Sequence, residues 1–200
     1  MMRTLFGKEE ETTEFCSTQS AMMAGAPQWS AIMDPGCTLT VAGEQWIQQY
    51  LAYAKKILGD KFRYEKFKRR VGYLFGNGTT ETSTTSYMIP IGVHPEHPMA
   101  MLEVCAIKGD TNPLLSRSAH KKLRLAVNYD DDEVYSKIIR KNLETTVGSS
   151  GHQFLPLTRF PEEPVWHDSQ EEFVCKADQT DAEMLTELES ERMEEQRKIK

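Results

Sequence analysis

One carboxylate stands out for where it sits. In Ser30-Ala31-Ile32-Met33-Asp34-Pro35-Gly36-Cys37-Thr38, Asp34 follows a run of small and apolar residues and precedes a proline and a glycine. An apolar strand that delivers an acid into a glycine turn can present a carboxylate for general acid and base work. Two such carboxylates held close together cannot both ionise. One keeps a proton while the other activates a water for attack on a carbonyl carbon, and the pair titrates as a unit. The chain has one Asp-x-Gly in this setting, so a second carboxylate has to come from a second copy across a two-fold axis. Asp-Pro-Gly is also a common turn tripeptide, and as a turn residue alone Asp34 needs no chemistry.

Other chemistry-bearing residues form no competing constellation. The four cysteines, at 16, 37, 105 and 175, have no C-x-x-C spacing, and the five histidines do not cluster with them, so no zinc site is expected. Cys37 reads as a small buried apolar residue. Asp110 lacks a following glycine and reads as a turn residue. Asn77 reads as a hairpin turn, His152 as a structural histidine, and Trp46 with Tyr50 and Leu51 as core packing.

The elements that must position Asp34 follow from periodicity. Trp29 to Met33 read as a buried strand running into the Asp34-Pro35-Gly36 turn. Thr40 to Leu58 carry Trp46, Ile47, Tyr50, Leu51, Ala54, Ile57 and Leu58 at helical spacing, and Gly59-Asp60 ends that helix. Phe62 to Leu74 suit either a surface strand or a short helix. Phe75-Gly76-Asn77-Gly78 signals a hairpin, followed by β-prone Thr79 to Ser86. Tyr87 to Val93 and Met99 to Ile107 read as strands joined by the turn His94 to Pro98. Asp110 to Pro113 is a turn, Leu114 to Arg117 starts the next element, and Ser118 to Leu125 suit a short helix. Strands are expected at Ala126 to Tyr129, Val134 to Ser136, Lys137 to Leu143 and His152 to Leu157.

Composition bounds the rest. The 200 residues carry a net charge of −6 and 39% hydrophobic residues, with a mean hydropathy of −0.54. That is lean for a core spanning the whole chain. Residues 1–27 read as a disordered lead-in, 28–158 as one folded domain, and 159–200 as an acidic tail with a marginal solvated helix. The basic run Lys55, Lys56, Lys61, Arg63, Lys66, Lys68, Arg69 and Arg70 reads as a solvated face rather than a nucleic-acid contact. No signal-peptide pattern and no bilayer-length apolar run is present, so an intracellular, cytoplasmic location with reduced thiols is expected.

Several strings resemble the retropepsin-like aspartic protease of copia-type LTR retrotransposon polyproteins. Ile32-Met33-Asp34-Pro35-Gly36-Cys37-Thr38 is similar to that family's Ile-Leu-Asp-Thr-Gly-Cys-Thr, and Val41-Ala42-Gly43 with Trp46 follows as Val-Cys-Gly and a Trp-bearing helix do there. Phe75-Gly76-Asn77-Gly78 resembles Phe-Gly-Asp-Gly, and Pro113-Leu114-Leu115-Ser116-Arg117 resembles Pro-Leu-Leu-Leu-Ser-Arg. Ser150-Gly151-His152-Gln153-Phe154-Leu155-Pro156-Leu157 resembles a Ser-Gly-His-Tyr-x-x-Pro-Leu closing strand. The motifs run in the family's order from about Trp29 to Leu157.

The resemblance implies a mainly β protein: a closed antiparallel β barrel with one or two short helices, forming a homodimer around one active site. It implies a polypeptide substrate and no metal or cofactor. Asp34 becomes the catalytic acid and base, and Gly36 brings its amide near the carboxylate. Phe75 to Ser86 becomes a flap, with Gly76, Asn77 and Gly78 at its substrate-facing tip. Leu114 to Arg117 packs behind the active-site loop. The family has Thr or Ser where Pro35 stands, and that hydroxyl bonds across the dimer. Proline has neither a hydroxyl nor an N–H. Ala42 for Cys and Asn77 for Asp depart further. The alternative is a catalytically inactive retropepsin-like dimerisation or binding module.

Overall fold

The apolar run before Asp34 forms a strand because every side chain in it finds a partner layer. The computed structural model describes residues 12–16, 27–76, 78–149, 151–164 and 174–175. Along the chain these form β1 (Thr12–Cys16), β2 (Ser30–Met33), β3 (Val41–Gly43), α1 (Glu44–Leu58), a 3₁₀ turn at Gly59–Lys61, β4 (Glu65–Phe75), β5 (Thr80–Val93), β6 (Ala100–Ile107), β7 (Leu114–Leu115) and α2 (Arg117–Lys122). Then come β8 (Leu125–Asn128), β9 (Glu133–Ser136), β10 (Lys141–Leu143), β11 (Thr146–Val147), β12 (Gln153–Pro156), β13 (Thr158–Arg159) and β14 (Val174–Cys175).

The fold is mainly β. An 11-stranded sheet runs in the order β1-β4-β5-β6-β3-β7-β2-β12-β11, with β13 beside β5 and β14 beside β6. A second, three-stranded sheet has the order β10-β9-β8. One expectation is corrected here. The large sheet is mixed rather than antiparallel, because β1 with β4, β2 with β7 and β3 with β6 pair in parallel. Among the described residues no closed barrel is found: the strand order runs from β1 to β11 without joining its ends.

All four residues of β2 are buried, and they serve two clusters in alternation, as a period of two requires. Ala31 and Met33 enter the larger core with Trp46, Ile47, Tyr50, Leu102 and Leu155. Ile32 enters a second cluster with Cys37, Val71, Tyr73, Phe75, Leu114 and Phe154. The sheet thus buries both faces around β2, which explains why its sequence shows no polar alternation.

The helix begins later than periodicity suggests. Val41–Gly43 is a strand, pairing in parallel with β6, and α1 starts at Glu44. Gly43 ends the strand where two backbones nearly touch. A Cβ there would lie 2.4 Å from the Thr111 nitrogen and 2.5 Å from the Gly109 oxygen. From Glu44 on, the expected stripe holds: Trp46, Ile47, Tyr50, Leu51, Ala54 and Leu58 are buried, while Ile57 is exposed. Gly59, at φ 54, closes the helix with its N–H on the Lys55 carbonyl. The Tyr50 hydroxyl lies 2.8 Å from the Pro90 carbonyl oxygen and 2.9 Å from that of Leu157, tying α1 to β5 and to the end of β12.

The ambiguous segment 62–74 becomes β4, because β5 supplies an antiparallel partner from Glu65↔Met88 to Leu74↔Thr80. Thr79 to Ser86 and Tyr87 to Val93 merge into the single strand β5. Lys137 to Arg140 are a turn, so only Lys141–Leu143 of the expected strand forms. Thr12–Cys16, inside the expected lead-in, is a strand; the rest of residues 1–26 and the tail helix at 181–200 lie outside the described residues. No described helix is long and apolar enough to cross a membrane.

Candidate functional site

Asp34 lies where β2 leaves the sheet. Its N–H donates to the Leu115 carbonyl at 3.1 Å, and one turn later the Arg117 N–H donates to the Cys37 carbonyl at 2.9 Å. The parallel register Ile32↔Leu114 and Met33↔Leu115 therefore carries on to Asp34, and the turn beyond it shifts by two residues before Cys37 meets Arg117. As expected, the Leu114-Leu115-Ser116-Arg117 segment packs behind the Asp34 turn.

The turn closes with the Cys37 N–H on the Asp34 carbonyl at 3.1 Å. Proline suits the second position of such a turn because its φ is already set. Gly36 needs no left-handed backbone there, since its φ is not positive. The Gly36 N–H instead donates to Asp34 Oδ1 at 2.9 Å. Pro35 and Gly36 are exposed, whereas Asp34 is only 5% exposed.

That geometry uses half of the carboxylate. Oδ1 does what a turn aspartate ordinarily does. Oδ2 is buried and has no hydrogen-bond partner among the described residues. An unpartnered buried carboxylate oxygen is costly when charged. Burial accordingly pushes the Asp34 carboxyl above its ordinary range, against the Gly36 N–H, the charge of His152 and the Cys37 N–H, which all pull it down. The arrangement favours an acid that holds its proton more tightly than a surface aspartate.

The surroundings include residues that the sequence did not single out as site residues. A hydroxyl chain braces the loop within one chain. The Thr40 hydroxyl donates to Ser116 Oγ at 3.0 Å and accepts from the Ser116 N–H at 3.1 Å. The Ser118 hydroxyl donates to the Thr38 carbonyl at 3.1 Å, with Ser116 Oγ and Ser118 Oγ 2.9 Å apart. Ser116 also caps α2 by accepting from the Ala119 N–H at 3.3 Å. That cap is the one signal in the sequence that marks Ser116. Tyr129, in the β8–β9 turn, is 58% exposed. Burial and the nearby Asp34 charge both raise its phenol's pKa.

The proposed flap residues form a separate turn. Gly76 and Gly78 are at the tip of the β4–β5 hairpin, where the Gly78 N–H donates to the Phe75 carbonyl at 2.8 Å and the Phe75 N–H to the Thr79 carbonyl at 2.9 Å. Gly78 has φ 83, which explains its glycine. Asn77 lies outside the described residues. The structure thus brings Gly36 onto Asp34 and holds Gly76 and Gly78 by their own turn. The arm leading to that turn faces the Asp34 side, because Val71, Tyr73 and Phe75 share a cluster with Ile32 and Cys37.

Cys37 and Cys105 are buried, and the Cys37 thiol donates to the Leu39 carbonyl at 2.8 Å. Among the described residues no group of three or more His, Cys, Asp or Glu is placed to hold a metal ion. Part of the basic run is committed within the chain. Arg69 pairs with the buried Glu103 at 2.5 Å, and the Lys66 ammonium lies 5.0 Å from the Tyr87 ring centroid. Compared with known proteins, the chain matches no protein-family model, no curated protein and no solved structure.

Proposed function

We propose that this chain is an aspartic-type endopeptidase of retropepsin-like, retrotransposon origin, acting on polypeptides as an intracellular homodimer. The observation that carries the reading is the Asp34 carboxyl: buried, held by Gly36 through one oxygen, with the other oxygen unpartnered. A turn aspartate accounts for the first oxygen and not for the second. The parallel β2–β7 pairing beside the acid, and the loop braced against Leu115 to Ser118, support a retropepsin-like architecture.

In this reading two Asp34 carboxyls from two copies share one proton. The ionised one takes a proton from water, and the water oxygen bonds to the peptide carbonyl carbon. The protonated one gives its proton to the carbonyl oxygen. Collapse of the tetrahedral species breaks the C–N bond: the amine leaves with the proton that the first carboxylate took from water, and a gem-diol hydroxyl returns its proton to the other carboxylate as the C=O re-forms, which restores the singly protonated pair. Gly36 holds each carboxyl in orientation throughout.

Cleavage of a peptide library at mildly acid pH tests this, with Asp34→Asn as control. Equal cleavage by both proteins refutes it. Sedimentation is the companion measurement, because a strict monomer at high concentration cannot pair two Asp34 carboxyls.

The second reading is an inactive retropepsin-like dimerisation or binding module. Pro35 favours it, since an exposed ring replaces the hydroxyl that grips across the dimer in the resembled family. Pro35→Thr separates the two readings. Asp34-dependent cleavage that appears only in the threonine variant identifies an intact scaffold with a disabled grip.

A further inference from the structure

His152 read from the sequence as a structural histidine, yet strand register gives it a specific place. β12 pairs antiparallel with β2 through Phe154↔Ile32, Leu155↔Ala31 and Pro156↔Ser30. Continued toward the start of β12, the same register sets Gln153 across from Met33 and His152 across from Asp34. Directly opposed residues on antiparallel strands project from the same face. The burial pattern agrees: Ala31, Met33 and Leu155 enter one cluster, and Ile32 and Phe154 the other. Two residues beyond Ile32 and two before Phe154, Asp34 and His152 fall on the second face together.

The backbone at His152 is fixed independently. Its carbonyl accepts the Gly148 N–H at 2.9 Å, and the Gly151 N–H donates to the Gly148 carbonyl at 2.9 Å. Gly151 takes φ 77, which a side chain would resist. The turn thus delivers His152 to the end of the β2–β12 ladder in one position. Besides His152, the groups that lower the Asp34 carboxyl are the backbone N–H groups of Gly36 and Cys37. Tyr129 comes from the β8–β9 turn as a phenol, and Arg117 meets the loop through its backbone N–H on Cys37.

We propose that His152 is a positioning residue for Asp34: its imidazolium, set across the β2–β12 ladder, supplies the counter-charge that lets a buried and half-unpartnered carboxyl ionise. This rests on the reading of Asp34 as the reacting acid. In the dimer each of the two acids lies across the ladder from its own His152. Desolvation and counter-charge then act on Asp34 in opposite directions, and the pH at which one acid ionises depends on both.

The experiment is a carbon-13 titration of the Asp34 carboxyl in the full chain, for wild type, His152→Gln and His152→Lys. The Gln variant shifts the Asp34 midpoint upward, and the Lys variant, which keeps a positive charge, moves it back toward wild type. An Asp34 midpoint unchanged in a folded Gln variant overturns the proposal. Wild type alone provides a second measurement that requires no variant to fold. The Asp34 carboxyl signal shows an inflection at the pH where His152 loses its proton, and a signal flat through that step overturns the proposal equally. Peptide cleavage is read separately. A chain that cleaves nothing but shows the shift loses the peptidase reading and keeps the pair, and one that cleaves without the shift loses the pair alone.

Discussion

The backbone N–H of Asp34 donates to the carbonyl of Leu115, 3.1 Å away across a gap of eighty-one residues. The reciprocal bond from Arg117 to Cys37 makes the Asp34 turn and the start of α2 one unit. Ser116 sits between these bonds, buried, with its hydroxyl shared among Thr40, Ser118 and the Ala119 N–H. Ser116→Ala removes both a helix cap and the brace on Thr40. The expected loss is about 1 to 2 kcal/mol, read as a lower urea midpoint at unchanged slope. An unchanged midpoint would show that the brace carries no stability.

Asp34→Asn has opposite effects on activity and stability. Cleavage falls roughly 10²- to 10⁴-fold, the range for losing a general acid or base. Stability moves the other way. Burial raises the folded-state pKa of Asp34 above 3.8, so the stabilisation it gives is present below 3.8 and is lost as pH rises through the folded value. The advantage of the Asn variant therefore grows with pH and levels off above that value. Parallel denaturation curves at acid and neutral pH check this, and a constant difference between the proteins contradicts it.

His120 makes the fold sensitive to acid. It is 7% exposed, and burial lowers its pKa from 6.5 to about 4. The unfolded chain takes up that proton first as pH falls below 6.5, so stability is lost between about 6.5 and 4, amounting to about 3 kcal/mol by the lower end. His97, also buried and lowered chiefly by burial, adds to the loss in the same direction. His120→Leu flattens the stability profile over that interval, and a profile as steep as wild type refutes the assignment. Peptidase assays at mildly acid pH need this check on the folded fraction.

Gly43→Ala tests the close approach between β3 and the 109–111 turn. The backbone there, at φ −64 and ψ 136, is open to any residue, so the cost is steric. A methyl group meets backbone atoms of Thr111, Gly109 and Asp110, none of which is a flexible side-chain end. The variant loses about 3 kcal/mol, the upper end of the usual overpacking cost, measured by thermal or urea unfolding. A neutral result would mean that the turn yields.

Local signals in the sequence were enough to locate α1 from Glu44 onward, the glycine that ends it, the Phe75 to Gly78 hairpin and the run into Asp34. Each depends on neighbours a few residues apart: a stripe of buried side chains at helical spacing, a left-handed turn glycine, or an apolar stretch closed by proline and glycine. The Gly36 contact on Asp34 was legible for the same reason, being a bond across two residues. Tertiary structure alone decided what pairs over distance. Val41–Gly43 is too short to show a period and became a strand because β6 and β7 were there to pair with it. Segment 62–74 could have been helix or strand until β5 lay beside it. The open, mixed sheet and the braces from Leu115 and Ser116 follow from long-range register. So does the proposed placement of His152 opposite Asp34, because a shift of one residue would send either side chain to the other face.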